Sequence, residues 1–125
     1  MEPYVVPQEN GNRTDVRWML LTDKNKDGLL VIADSLLSMS AWPYTEENIR
    51  TAKHTNKLKN AGSVTLNIDL KQMGVGGNDS WSDVAEALEQ YRIPAGNYHY
   101  SFYLSPYKAG TDVSALVRKI KTAHP

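Results

Sequence analysis

The residue in this 125-residue chain best placed to do chemistry is Trp81, which closes the run Met73-Gly-Val-Gly-Gly-Asn-Asp-Ser-Trp81. Gly74, Gly76 and Gly77 permit backbone angles that side chains forbid, so the run reads as an ordered loop of unusual shape. A flat indole projected from such a loop offers an apolar face to the C–H side of a sugar ring and one N–H donor. Packing beneath its own loop is the commoner use of an aromatic, and the residue pattern alone leaves both roles open. Asn78, Asp79 and Ser80 could bind hydroxyl groups, but short polar side chains in a loop more often bond local backbone and shape the turn.

Other chemical candidates are weaker. Hydrolysis by a paired acid and base usually needs two carboxyl groups held a few ångströms apart. Glu46 and Glu47 are adjacent on a helical segment and diverge, and Asp69, Asp79 and Asp83 have no evident partner. The segment Asp23-Lys-Asn25-Lys-Asp27-Gly28, with Asp34 at the twelfth place, imitates an EF-hand loop, yet it joins two strand-like segments where calcium loops need helices. It reads as a hairpin turn. His54, His99 and His124 are too scattered for a metal pair, and neither a nucleophile elbow nor a phosphate-binding loop with Lys-Ser or Lys-Thr occurs. The residues therefore indicate no catalytic group and no metal site within the chain.

The elements that must position Trp81 read as mostly β. Asp15 to Leu21 forms a strand, the polar block turns, and Leu29 to Ile32 returns. A separate strand over Leu36 to Trp42 ends at Pro43. Thr45 caps a short helix that carries Glu46 and Glu47 in its first turn and ends near Lys53. Val64 to Leu70 alternates strictly between apolar and polar residues, the clearest strand signal in the chain. Pro94 to Asn97 turns, and Tyr98 to Leu104 forms a strand whose Tyr98, Tyr100 and Phe102 are expected in the core, although a sugar platform is another use for such a row. Asp112 caps a terminal amphipathic helix carrying Val113, Leu116, Val117 and Ile120, suited to docking on the domain. With no internal repeat or linker, the expected fold class is all-β, an antiparallel β-sandwich with short peripheral helices and a C-terminal helix.

Fourteen Lys plus Arg balance 14 Asp plus Glu for a formal net charge of +0, so no global field draws nucleic acid. No apolar run is long enough to span a bilayer, which predicts a soluble protein without a membrane partner. The start, MEPYVVPQEN, lacks the pattern of a signal peptide. The absence of cysteine removes disulfide and thiolate chemistry but says little about compartment.

Several blocks, in order, resemble the C-terminal region of family 2 β-galactosidases. They are Pro7-Gln-Glu-Asn-Gly-Asn-Arg-Thr-Asp-Val-Arg-Trp18, Ala52-Lys-His-Thr55 followed by Leu58, Leu66-Asn-Ile-Asp69, the glycine-rich run ending in Trp81, and Ala95-Gly-Asn-Tyr-His-Tyr100. The similarity covers roughly Tyr4 to Tyr107, which divides the chain into 1–107, the C-terminal part of the small-chain sandwich (domain 5), and 108–125, a helical tail outside the pattern. The resemblance implies a galactose-mutarotase-like supersandwich of which only the C-terminal part is present. It implies that the tryptophan matching Trp81 reaches into an active site built by a catalytic barrel and helps hold the sugar, with Gly76, Gly77, Asn78, Asp79 and Ser80 supporting its loop. Both catalytic glutamates and the magnesium ligands would lie in that barrel, so this chain alone would be inactive and carry no cofactor. The partners implied are the remainder of the enzyme and a galactoside such as lactose, in the cytoplasm or alternatively the periplasm. Uncovered edges of half a sandwich predict self-association into a homo-oligomer. A freestanding carbohydrate-binding module and a purely structural assembly module are the alternatives.

Overall fold

A computed structural model describes residues 11–73, 76–79, 81–82 and 84–124. Pro7 to Asn10, Gly74, Ser80 and Asp83, to which the sequence assigned parts of motifs, lie outside the described residues. Within them the architecture is antiparallel β-sheet with two short α-helices, one of them C-terminal, as the sequence predicts.

The organising element is a single 15-residue strand, β2 (Gly28–Trp42). Strand β1 (Arg13–Thr22) runs antiparallel along one of its edges. The opposite edge is shared. Strand β4 (Phe102–Tyr107) pairs with Gly28 to Ala33, and β3 (Thr65–Asp69) pairs with Ser38 to Trp42. The two strands expected over Leu29 to Ile32 and Leu36 to Trp42 are therefore one strand that continues through an irregularity. Val16 is opposite Leu37 and Trp18 is opposite Ile32, so Ala33 to Leu36 bulge against Arg17 alone. Asp34 and Ser35 are exposed and interrupt the apolar pattern, but remote groups hold the backbone. Asp34 N–H donates to Ser101 O at 3.2 Å, and Lys121 Nζ donates to Asp34 O at 2.8 Å.

Cross-strand partners share a face, so β2 buries both of its sides. On one face Val31, Ala33, Leu37 and Met39 form the core cluster, with Met19, Leu66 and Ile68 packed against it. On the other, Ile32 is fully buried between its partners Trp18 and Tyr103. Helix α2 (Val113–Ala123) lies over this second face, with Asp112 accepting from Ala115 N–H at its N-cap. Tyr103 Oη donates to His124 O at 2.9 Å and Tyr107 Oη to Thr111 O at 3.0 Å, so alternate residues of β4 hold both ends of the helix.

Helix α1 (Glu46–Ala52) begins where expected, with Thr45 Oγ1 accepting from Asn48 N–H at 3.1 Å. The hairpin between β1 and β2 uses its carboxylates locally: Asp23 Oδ1 accepts from the Asn25 and Asp27 amides, and Asp27 accepts from Lys108 Nζ and Ala109 N–H. The Lys108 contact holds the Asp27 carboxyl below its ordinary range. The calcium-like spacing thus serves a turn and ties it to the segment after β4.

The strand expected over Tyr98 to Leu104 begins instead at Phe102 and extends to Tyr107. The edge of β2 facing Tyr98 to Ser101 is the bulge, and beyond it β3 already occupies the ladder. Tyr98 and Tyr100 instead donate their hydroxyls to Pro94 O and Ile68 O. Together with Phe102 they are exposed, which corrects their placement in the core.

Candidate functional site

The site is built from β3 outward. After Asp69 the chain enters a loop closed on itself by Leu88 N–H donating to Gly76 O at 3.1 Å and Asn78 N–H to Val84 O at 3.3 Å. Inside this closure Asp79 organises the tip. Its Oδ1 accepts from Trp81 N–H at 3.0 Å and Ser82 N–H at 2.8 Å, and its Oδ2 accepts from Ser82 Oγ at 2.5 Å. Ser82 Oγ in turn accepts from Val84 N–H, and Ser82 O from Ala85 N–H. One carboxylate thereby binds the amides of Trp81 and Ser82 together with the Ser82 hydroxyl. The indole is 86% exposed.

The glycines serve close approach. Gly76 has φ +84, and a Cβ there would stand 2.4 Å from the Tyr91 ring; at Gly77 it would stand 2.2 Å from the Ala85 carbonyl oxygen. The second obstacle is backbone and cannot rotate away. Gly77→Ala is therefore expected to break the closure around Trp81 while leaving the remote core intact, read as loss of the Asn78 and Leu88 amide protection in hydrogen exchange with the β2 amides unchanged. Retained loop protection would contradict this account. The base of the loop is held by Arg92, whose Nε donates to Ala87 O at 2.8 Å and whose terminal nitrogen pairs with Glu86 at 3.2 Å. Sequence reasoning did not single out Arg92 or Tyr91, because their role depends on the loop folding back over them.

Hydrogen bonds from the Ser82 hydroxyl first, then from the Ser82 and Trp81 amides, hold the Asp79 carboxyl below its ordinary value of 3.8. A carboxyl whose folded pKa is depressed contributes stability above its unfolded pKa and loses it as pH falls through the folded one. The tip is thus expected to keep its structure at pH 3.8 and to loosen only below it. The Trp81 and Ser82 amide shifts, followed from about pH 5 to about pH 2, check this. A transition centred at or above the ordinary aspartate value, or one that persists in Asp79→Asn, would contradict it.

Trp81, Gly76, Gly77, Asn78 and Asp79 share one loop, whereas Glu46, Glu47, Asp69 and the three histidines are distributed over other segments. Among the described residues no group of three or more His, Asp or Glu is placed to hold a metal ion. No helix of the described residues is long and apolar enough to cross a membrane. The glycine-closed loop and its outward tryptophan lie within the stretch that matches the β-galactosidase small-chain family, residues 1–104. The chain belongs to this family. A β-galactosidase of Priestia megaterium is 39% identical over 105 residues, covering 83% of this chain and 10% of that protein. Similar proteins from Bifidobacterium adolescentis, at 38% over 96 residues and 9% of its length, and Halalkalibacterium halodurans, at 40% over 96 residues and 9%, are β-galactosidases as well. The chain thus spans about a tenth of the length of these curated relatives. Helix α2 begins at Val113, beyond the last residue of the family match.

Proposed function

We propose that this chain is the C-terminal part of the small-chain sandwich of a family 2 β-galactosidase, which hydrolyses terminal β-D-galactosides such as lactose, and that it completes the substrate site with Trp81. The observation that carries this reading is the 86% exposed indole on a loop whose Trp81 and Ser82 amides are bound by the Asp79 carboxylate. Such an indole can stack on a sugar ring without rearranging its own loop. The paired carboxylates and the magnesium of the reaction belong, in this reading, to a barrel domain elsewhere in the enzyme, and the chain by itself is inactive.

The sheet also has surfaces suited to receiving the rest of a galactose-mutarotase-like sandwich. Leu104, on the core face opposite Val31, is 57% exposed, and Phe102 beside it is exposed too. A contiguous apolar patch of this kind marks an interaction surface. The remainder of the enzyme is its occupant here, and self-association into a homo-oligomer is the expected behaviour of the chain when that occupant is absent. The compartment of this reading is the cytoplasm, with the periplasm as the alternative.

The test is reconstitution. Adding the preceding segments of the enzyme to the chain should restore hydrolysis of a β-galactoside, and neither part should hydrolyse it alone. Hydrolysis by the isolated chain would refute the accessory role. A carbohydrate-binding module is the second reading, favoured by the exposed Tyr98 and Tyr100 near the end of β3. Saturable, Trp81-dependent binding of galactose to the chain alone would select it over the first.

A further inference from the structure

The C-terminal helix makes a second concave site, away from the Trp81 loop. Where α2 crosses the bulge of β2, a cleft of about 380 Å³ opens between Trp18 and Arg17 of β1, Leu36 of the bulge, and Val117 and Arg118 of the helix. That volume falls within the range of small-molecule sites. One wall is apolar, with Trp18 and Leu36 exposed at 42% and 46%. Arg17, Arg118 and Lys121 also line the cleft, and Asp34 is its only acidic lining residue among the described residues. Lys121 is committed to the Asp34 carbonyl, and the Asp34 carboxylate accepts from Ser101 Oγ at 2.9 Å. Among the described residues the guanidinium groups of Arg17 and Arg118 have neither an acidic partner nor an acceptor.

The floor of the cleft is built rather than incidental. The bulge is tied to Ser101 on one side and to α2 on the other, and α2 is fixed by the Tyr103 and Tyr107 hydroxyls. Arg17 and Arg118 thereby line one cleft with Trp18, on elements that these bonds tie together. A fork matches a carboxylate in a bidentate manner, and an indole face suits the C–H side of a pyranose.

We propose that the cleft under α2 binds an acidic sugar, a pyranose bearing a carboxylate. Arg17 and Arg118 hold the carboxylate and Trp18 stacks on the ring. The choice of a sugar rests on the galactosidase reading, whereas the choice of an anion rests on two arginines lining one cleft without an acidic partner among the described residues. The site is a property of this chain's helix together with the bulge, and it is separate from the role given to Trp81.

The experiment is an NMR titration of the isotope-labelled 125-residue chain with galacturonate, and with galactose and acetate as single-feature probes. Galacturonate is expected to shift the Trp18 indole and the Arg17 and Arg118 side-chain signals to saturation, with galactose and acetate each binding at least about tenfold more weakly, as expected when ring stacking and a charge-assisted bond act together. Arg118→Ala, on the exposed side of a helix, and Arg17→Ala should each weaken galacturonate binding about tenfold or more while the rest of the spectrum is unchanged. Equal binding of galactose or acetate, shifts confined to the Trp81 loop, indifference to both arginine substitutions, or no shift at all would overturn the proposal. Because Trp81 is tested by hydrolysis and this cleft by Trp18 signals, failure of one reading is distinguishable from failure of the other.

Discussion

Replacing Trp81 with alanine in the reconstituted β-galactosidase is expected to lower kcat/KM for a β-galactoside by roughly thirtyfold, from the loss of about 2 kcal/mol of aromatic contact with the sugar. The same change should leave the stability of the chain within about 0.5 kcal/mol, because an exposed side chain with no partner supports little of the fold. The indole is 86% exposed, and the groups that shape its loop are the Asp79 carboxylate and the backbone amides of Trp81 and Ser82. Trp81→Phe should recover part of the loss, since a phenyl ring keeps an apolar face but not the N–H donor. Activity and thermal unfolding measured on the same preparations separate the two effects. Full activity in Trp81→Ala would sink the assigned role, and a large fall in stability would show that the indole packs somewhere.

The largest expected effect on folding lies at Met39. Its side chain is fully buried in the core cluster, and its backbone is paired to β1 at Arg13 and to β3 at Ile68. Met39→Ala removes buried methylene and sulfur contacts at a site where three strands meet and relaxation is restricted. A destabilisation of about 3 kcal/mol is expected, the middle of the range for such truncations. Against the roughly 5–15 kcal/mol that holds a typical domain together, this is a substantial fraction. Denaturant unfolding should show it as a lower midpoint with an unchanged slope. A change of less than about 1 kcal/mol, below the range for truncating a buried Met, would mean that the core is looser than its burial implies.

These two residues differ in how visible they are before folding is known. Trp81 announces itself, because three glycines, an aspartate and a tryptophan in succession restrict what the local chain can do, and Asp79 satisfies the tip from two residues away. The family blocks around it were equally legible, since they are contiguous runs. Met39 is visible only as one member of an alternating segment. Its position at the centre depends on which strands arrive on each side of β2.

The misread elements have the same cause. Asp34 and Ser35 fall between two segments that read as separate strands, and Tyr98 to Ser101 belong to the alternation of a buried strand. The first stays in a strand because Ser101 and Lys121, 67 and 87 residues away, bond to Asp34. The second leaves the ladder because β3 and the bulge occupy the edge it would need.

What the sequence by itself determined are the features set by neighbours along the chain. They include the caps at Thr45 and Asp112, the alternation of β3 and the hairpin at Asp23 to Gly28. Hydrogen bonds spanning two to four residues and side-chain periodicity decide these, and both are properties of short segments. Only the tertiary structure decided that β2 is one strand, that two strands share its second edge, that Tyr98 and Tyr100 remain exposed, and that α2 sets Arg118 beside Arg17 and Trp18. Each of these depends on competition for a sheet edge or on a contact between distant segments, and such competition is resolved only when the whole chain packs.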